Sequence, residues 1–174
     1  MEEEGCRWYL FGAQAVNVWG TPRLTNDVDV TAEIPENGSP DAIRALARHG
    51  FRLRFDADDD FIRRARVIPL VHESTDLPLD LVLAGPGFEE DFLARAAIVS
   101  VDGVDVPVIT PEDLVVTKVL AGRPKDLEDV RGILRVRGDA LDLGRVRRLL
   151  ALLEAALGQS DLVPAFEELW AETR

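Results

Sequence analysis

A chain of 174 residues with 47% hydrophobic content holds enough apolar material for one domain core with a small helical appendix, and too much for a disordered segment. No apolar run approaches the roughly 20 residues of a membrane span, the lone Cys6 excludes an internal disulfide and a cysteine-based zinc cluster, and the acidic opening MEEEGCRWYL reads as neither a secretory signal nor a transit peptide, so a cytoplasmic setting is expected. A net charge of −12 argues against coating a long nucleic acid, although seven arginines between Arg44 and Arg66 and nine basic residues between Lys118 and Arg148 suit either a phosphate-bearing ligand or helix faces balanced by neighbouring acids.

RWYLFG reads as a short buried strand or a helix entry, and AQAVNVWG as a short helix closed by Gly20. NDVDVTAEI alternates and is rich in β-branched residues, which predicts a strand. After the loop IPENGSP, the run SPDAIRALARHGF predicts a helix with Ser39 as N-cap, Pro40 at the first helical position and Gly50 at its stop. FRLRF alternates as a strand does, and DADDD is a polar turn able to open a short helix. ARVIPLVHE and LPLDLVL flank the turn segment STD and predict a hairpin. GPGFEEDFLARAA is a loop and a short helix. Asp102-Gly103 between two β-branched runs predicts a second hairpin. From Thr110 onward the pattern turns helical, with Thr110 as N-cap and Pro111 behind it in TPEDLVVTKVLAG. RPKDLEDVRGILRVRG, DLGRVRRLLALLEAALG and SDLVPAFEELWAETR follow as helices. The expected class is α+β: a mixed-sheet core over residues 1–109, and a helical C-terminal portion over 110–174 packed on it as one continuous domain.

Residues i and i+2 of a strand share a face. Asp27 and Asp29 therefore project together, while Val28 and Val30 turn to the core. Two carboxylates on one face repel unless a cation or proton lies between them. A divalent metal resolves the conflict, and so does a solvated strand edge. Asp80 is a lone acid in the apolar run LPLDLVL, where an unpaired buried charge is costly. A metal, an arginine partner or a ladder edge would each account for it. FGAQ sets a glycine between a strand-like segment and a helix, whose free N–H groups suit phosphate oxygens. Lys118 lies in an apolar helix and is expected on its solvated face. His72 is expected to be structural or exposed, and Trp8, Trp19 and Trp170 to serve as core or interface residues.

These residues together resemble a minimal nucleotidyltransferase of the DNA-polymerase-β-like superfamily, and within it the stand-alone enzymes related to the AbiE toxin group. FGA is followed by thirteen residues, Gln14 to Asn26, and then by DVD. Asp80 matches the further acid on a later strand, Lys118 the helical lysine, and GRPKDLEDV the charged segment that ends the pattern with Lys125, Asp126 and Asp129. The likeness spans roughly residues 8 to 135. One departure is Ala13, where the pattern has glycine or serine; alanine supplies no hydroxyl but keeps its backbone N–H.

The resemblance implies transfer of NMP from an NTP, such as ATP, to a hydroxyl acceptor: a tRNA 3′ end, a protein side chain, or a small molecule such as an aminoglycoside. It implies two Mg2+ ions held by Asp27, Asp29 and Asp80, with Asp80 on the nucleophile side. It implies triphosphate contacts from Gly12, Ala13 and Lys118, with Arg23 and Thr25 orienting phosphate or the acid strand. Asp126 is either an active-site residue or an acid favoured by a helix N-terminus. A cognate antitoxin or a homodimer is an implied partner. A catalytically silent nucleotide-binding or protein-interaction module of the same fold is the alternative, motivated by Ala13, and a metal nuclease built on the same acids is a third reading.

Overall fold

The computed structural model describes residues 6–35 and 37–174, so the acidic opening up to Gly5, and Glu36 within the IPENGSP loop, lie outside the described residues. The chain divides into two units: residues 1–14 with 24–109, and residues 15–23 with 110–174.

The first unit is built on a mixed sheet of seven strands in the order β3-β4-β5-β2-β1-β7-β6. They are β1 (Trp8–Phe11), β2 (Val28–Ala32), β3 (Phe51–Leu53), β4 (Val67–His72), β5 (Leu77–Leu83), β6 (Ala97–Val101) and β7 (Val104–Val108). β2 lies parallel to β5 and β1 parallel to β7, whereas the β1–β2, β3–β4, β4–β5 and β6–β7 pairs are antiparallel. The expected α+β architecture is therefore present. Both predicted hairpins form, and in the second Asp102 and Gly103 take φ of 51° and 83°, the paired left-handed conformation of the turn that matches strand twist.

Strand alternation decides the core. Val30, Leu79 and Leu81 bury themselves with Ile62, Ile68 and Leu70 in one cluster, and Val28, Leu83 and the α2 residues Ala42, Ile43 and Leu46 pack against it. Asp29 and Asp80 occupy the intervening positions and so belong to the opposite sheet face. The unit's helices are α2 (Ser39–Ala47), α3 (Asp59–Ala65) and α4 (Phe88–Arg95). α2 starts one residue earlier than the sequence suggests, with Gly38 at the cap position and no side-chain cap. Pro40 still falls in the first turn, where N–H groups lack intrahelical partners, so its missing donor costs nothing. The DADDD turn does open α3, capped by Asp58, whose carboxylate accepts from the Phe61 N–H at 2.7 Å.

Helix α1 (Gly12–Trp19) begins in the first unit, and its residues from Ala15 belong to the second. The second unit otherwise comprises α5 (Pro111–Ala121), α6 (Pro124–Arg137), α7 (Leu143–Leu157) and α8 (Leu162–Glu172). Thr110 caps α5 by accepting from the Asp113 N–H. Leu114, Ile133, Leu134, Leu150 and Phe166 are buried. The segment after α1 lies directly on α6: a Cβ on Gly20 would meet the Ile133 backbone nitrogen at 3.0 Å, and one on Gly132 would meet Thr21 Oγ1 at 3.2 Å. Arg137 closes the end of α1, donating to the Trp19 and Val18 carbonyls at 3.2 and 3.4 Å with its guanidinium over the Trp19 ring. Among the described residues no helix is long and apolar enough to cross a membrane.

Candidate active site

The site in the first unit follows from register. β2 and β5 run parallel with Asp29 directly opposite Asp80. In-register neighbours point to the same face roughly 5 Å apart, so the two carboxylates stand side by side. On the far side of β2, Asp29 is opposite Phe11, the last residue of β1. The next residue, Gly12, opens α1 with φ of 63°. A Cβ on Gly12 would lie 2.7 Å from Asp29 Cγ and 2.9 Å from its Cβ, in space that the Asp29 carboxylate fills. Glycine is thus required twice over, for the left-handed backbone and for the close approach of the acid to the start of a helix.

Asp27 directly precedes β2 rather than lying in it. It is fixed from two sides: the Thr25 hydroxyl donates to its carboxylate, and Gln14 Nε2 donates to its carbonyl oxygen at 3.4 Å. Ala13 is buried in the first turn of α1. On the other side of Asp80, opposite Asp29, stands Pro69 of β4. Arg54, just past β3, reaches Asp80 Oδ1 with Nη2 at 2.6 Å. Sequence reading left an arginine partner open for Asp80 without identifying it. The available signal was FRLRF, whose alternation puts Arg52 and Arg54 on one face.

Arg23, Lys118 and Asp126 belong to the second unit, where they join one ion network. Lys118, expected on a solvated helix face, is buried at 7% exposure. Its Nζ lies 2.8 Å from both Asp126 and Asp129 on the following helix, which is what permits the burial. Arg23 grips Asp129 through two bonds of 2.7 and 3.0 Å, and Arg123 pairs with Asp126. Burial pushes both carboxyls upward, but the bonds from Arg123 and Lys118 to Asp126, and from Arg23 and Lys118 to Asp129, outweigh it and hold both below the usual range. Lys125 is exposed at the start of α6, and His72 is half-buried against the Phe51 ring with a 2.9 Å bond to Thr75.

Among the described residues no three acidic, histidine or cysteine side chains form a ready metal cage. The donor set nonetheless fits magnesium, which takes one or two carboxylates and completes its shell with water and substrate phosphate oxygens. Asp29 and Asp80 supply two hard oxygen donors in register, and the missing Gly12 side chain leaves the room that Asp29 uses.

A mixed sheet with paired carboxylates beside the glycine that opens a helix defines the chain as a minimal nucleotidyltransferase of the DNA-polymerase-β-like fold. Its fold is shared with the antibiotic-resistance factor ANT(2'')-Ia, at a TM-score of 0.59 and 16% identity over 90% of this chain and 86% of that one. The complex of ANT(2'')-Ia with adenylyl-2''-tobramycin gives 0.57 and 16% over 90% and 91%, and the lincomycin-bound lincosamide antibiotic adenylyltransferase LnuA gives 0.51 and 15% over 76% and 88%. By sequence, the chain belongs to the family described as "Nucleotidyltransferase of unknown function (DUF6036)", whose profile matches residues 4–160. No curated protein matches it.

Gly12→Ala tests the glycine. The left-handed backbone alone is expected to cost about 1–2 kcal/mol, and the added methyl must also push the Asp29 carboxylate aside. A lowered melting temperature accompanied by weaker metal-dependent nucleotide binding is the expected result, read by thermal denaturation and calorimetry. An unchanged Gly12→Ala protein would mean that the approach of Asp29 to α1 is not a constraint.

Proposed function

We propose that this chain transfers a nucleoside monophosphate from an NTP to a hydroxyl acceptor with magnesium at Asp29 and Asp80. The observation that carries this reading is the register of those two carboxylates, side by side on parallel strands with the glycine of a helix N-terminus against one of them. Magnesium, when bound, supplies positive charge to the triphosphate oxygens and lowers the pKa of the acceptor hydroxyl. Asp27, tied by Thr25 and Gln14, stands at the entrance to β2 as a third oxygen donor. The first backbone N–H groups of α1, at Gly12 and Ala13, donate to the β- and γ-phosphates, a contact that needs no side-chain hydroxyl at position 13.

In the transfer, the acceptor oxygen bonds to the α-phosphorus and the α–β bridging P–O bond breaks. Pyrophosphate leaves, and the acceptor proton passes to the Asp80 carboxylate. Arg23, Lys118 and Asp126 serve in the ion network of the second unit, where each charge already has an opposite partner.

The test is calorimetric titration of each NTP with and without Mg2+, followed by transfer assays with α-labelled nucleotide against tRNA, protein and aminoglycoside fractions. Nucleotide binding that requires the metal, and label retained on one fraction, is expected and identifies the acceptor. Failure of every NTP to bind at millimolar concentration would instead assign the chain to the silent-module alternative.

A further inference from the structure

Asp80 already carries a guanidinium, that of Arg54, at 2.6 Å. The pair rests on an arrangement specific to this sheet. The Arg54 N–H donates to the Pro69 carbonyl at 2.9 Å, extending the β3–β4 ladder by one residue. Pro69 is in turn in register with Asp80. Pro69, Asp80 and Asp29 therefore form one row across β4, β5 and β2, continued by Arg54 just past the end of β3. In an antiparallel ladder the N–H and C=O of a residue point to the same neighbour. The donor that Pro69 lacks would thus face Arg54, where β3 ends, and proline is tolerated in an interior strand because nothing is lost toward β5. Neighbouring strands are roughly 5 Å apart, and an extended arginine spans the two intervals only if the residue between them is low.

We propose that Arg54 is a positioning residue that competes with a divalent cation for Asp80, so that the metal enters together with the triphosphate rather than ahead of it. This rests on the nucleotidyl-transfer reading. The guanidinium occupies Oδ1, and an ion using that oxygen must displace it. Both partners are about one-third exposed, with side-chain exposures of 37% and 32%, so the pair is weak enough to yield. A bare ion brings only its own charge to the exchange. An ion arriving with a nucleotide brings phosphate oxygens that complete its shell and offer the released guanidinium a new anionic partner.

The experiment is titration of Mn2+, followed by the paramagnetic resonance of the free ion, without and with ATP, in wild type, Arg54→Gln, Arg54→Lys and Arg54→Gln/Asp80→Asn. Without ATP, Arg54→Gln is expected to bind Mn2+ about two- to fivefold more tightly than wild type. Arg54→Lys falls between them, and the gain disappears in the Asp80→Asn background. With ATP, wild type and Arg54→Gln converge. Mn2+ binding by Arg54→Gln no tighter than wild type, with wild-type Mn2+·ATP binding intact, overturns the role of Arg54 alone. Loss of Mn2+·ATP binding in wild type overturns the transfer reading and this inference with it. Melting temperatures of the four proteins separate a folding defect from a change of affinity, and a gain of affinity cannot come from unfolding.

Discussion

Asp29→Asn is expected to abolish metal-dependent nucleotide binding with little change in the melting temperature. The expectation follows from the register. Asp29 and Asp80 face each other across parallel strands, and like charges directly opposite in a sheet are destabilising. An amide of the same shape keeps the fit against Gly12 while removing one of the two charges. The melting temperature should therefore stay within about 3 °C of wild type. Function moves the other way. Loss of even an outer partner of a metal ligand costs about 10–100-fold, so loss of a direct ligand should cost at least about 100-fold in nucleotide affinity or transfer rate. Unchanged stability with loss of binding is the signature of an acid kept for its chemistry. An Asp29→Asn protein that melts lower and still binds MgATP would show that the carboxylate is structural.

Much of this was legible in the sequence, because the relevant signals are local. Alternation in NDVDVTAEI set Asp29 opposite the core-facing valines, LPLDLVL flagged Asp80 as an acid needing a partner, and Asp102-Gly103 marked a hairpin between two β-branched runs. Thr110 marked the start of α5 in the same way. The spacing from FGA to DVD carried the resemblance and, with it, the glycine. What stayed hidden was contact between distant segments. Arg54 and Asp80 are 26 residues apart, and Arg23 and Asp129 are 106 apart. Neither pairing follows from propensity, since each depends on which strands or helices become neighbours. Lys118 misled for the same reason. In its own helix it is a cation among apolar residues, and only the carboxylates of the next helix make its burial tolerable. Gly12 was expected as a backbone donor to phosphate at a strand–helix junction. Its closer constraint is the carboxylate of Asp29, seventeen positions along the chain.

The network around Lys118 should be the most sensitive point of the second unit. Asp129→Asn removes the charge that faces both Lys118 and Arg23; Lys118 keeps Asp126 and Arg23 is partly exposed, so the loss of these charged bonds is expected to cost about 1–3 kcal/mol. Chemical denaturation followed by helical circular dichroism reads this directly, and a change below about 1 kcal/mol, the range of exposed pairs, would mean that water reaches the network. The pH dependence gives an independent check. Asp126 and Asp129 are both held below the usual carboxylate range in the folded chain. Their stabilisation is therefore fully present above the unfolded carboxyl pKa of about 4, and is lost as pH falls through the lower folded values. Wild type should lose stability on acidification below about pH 4. Asp129→Asn has one fewer such group to titrate and should lose less, so the gap between the two proteins narrows as the solution becomes more acidic. A gap that stays constant across that range would place the contribution of Asp129 in shape or hydrogen bonding rather than in charge.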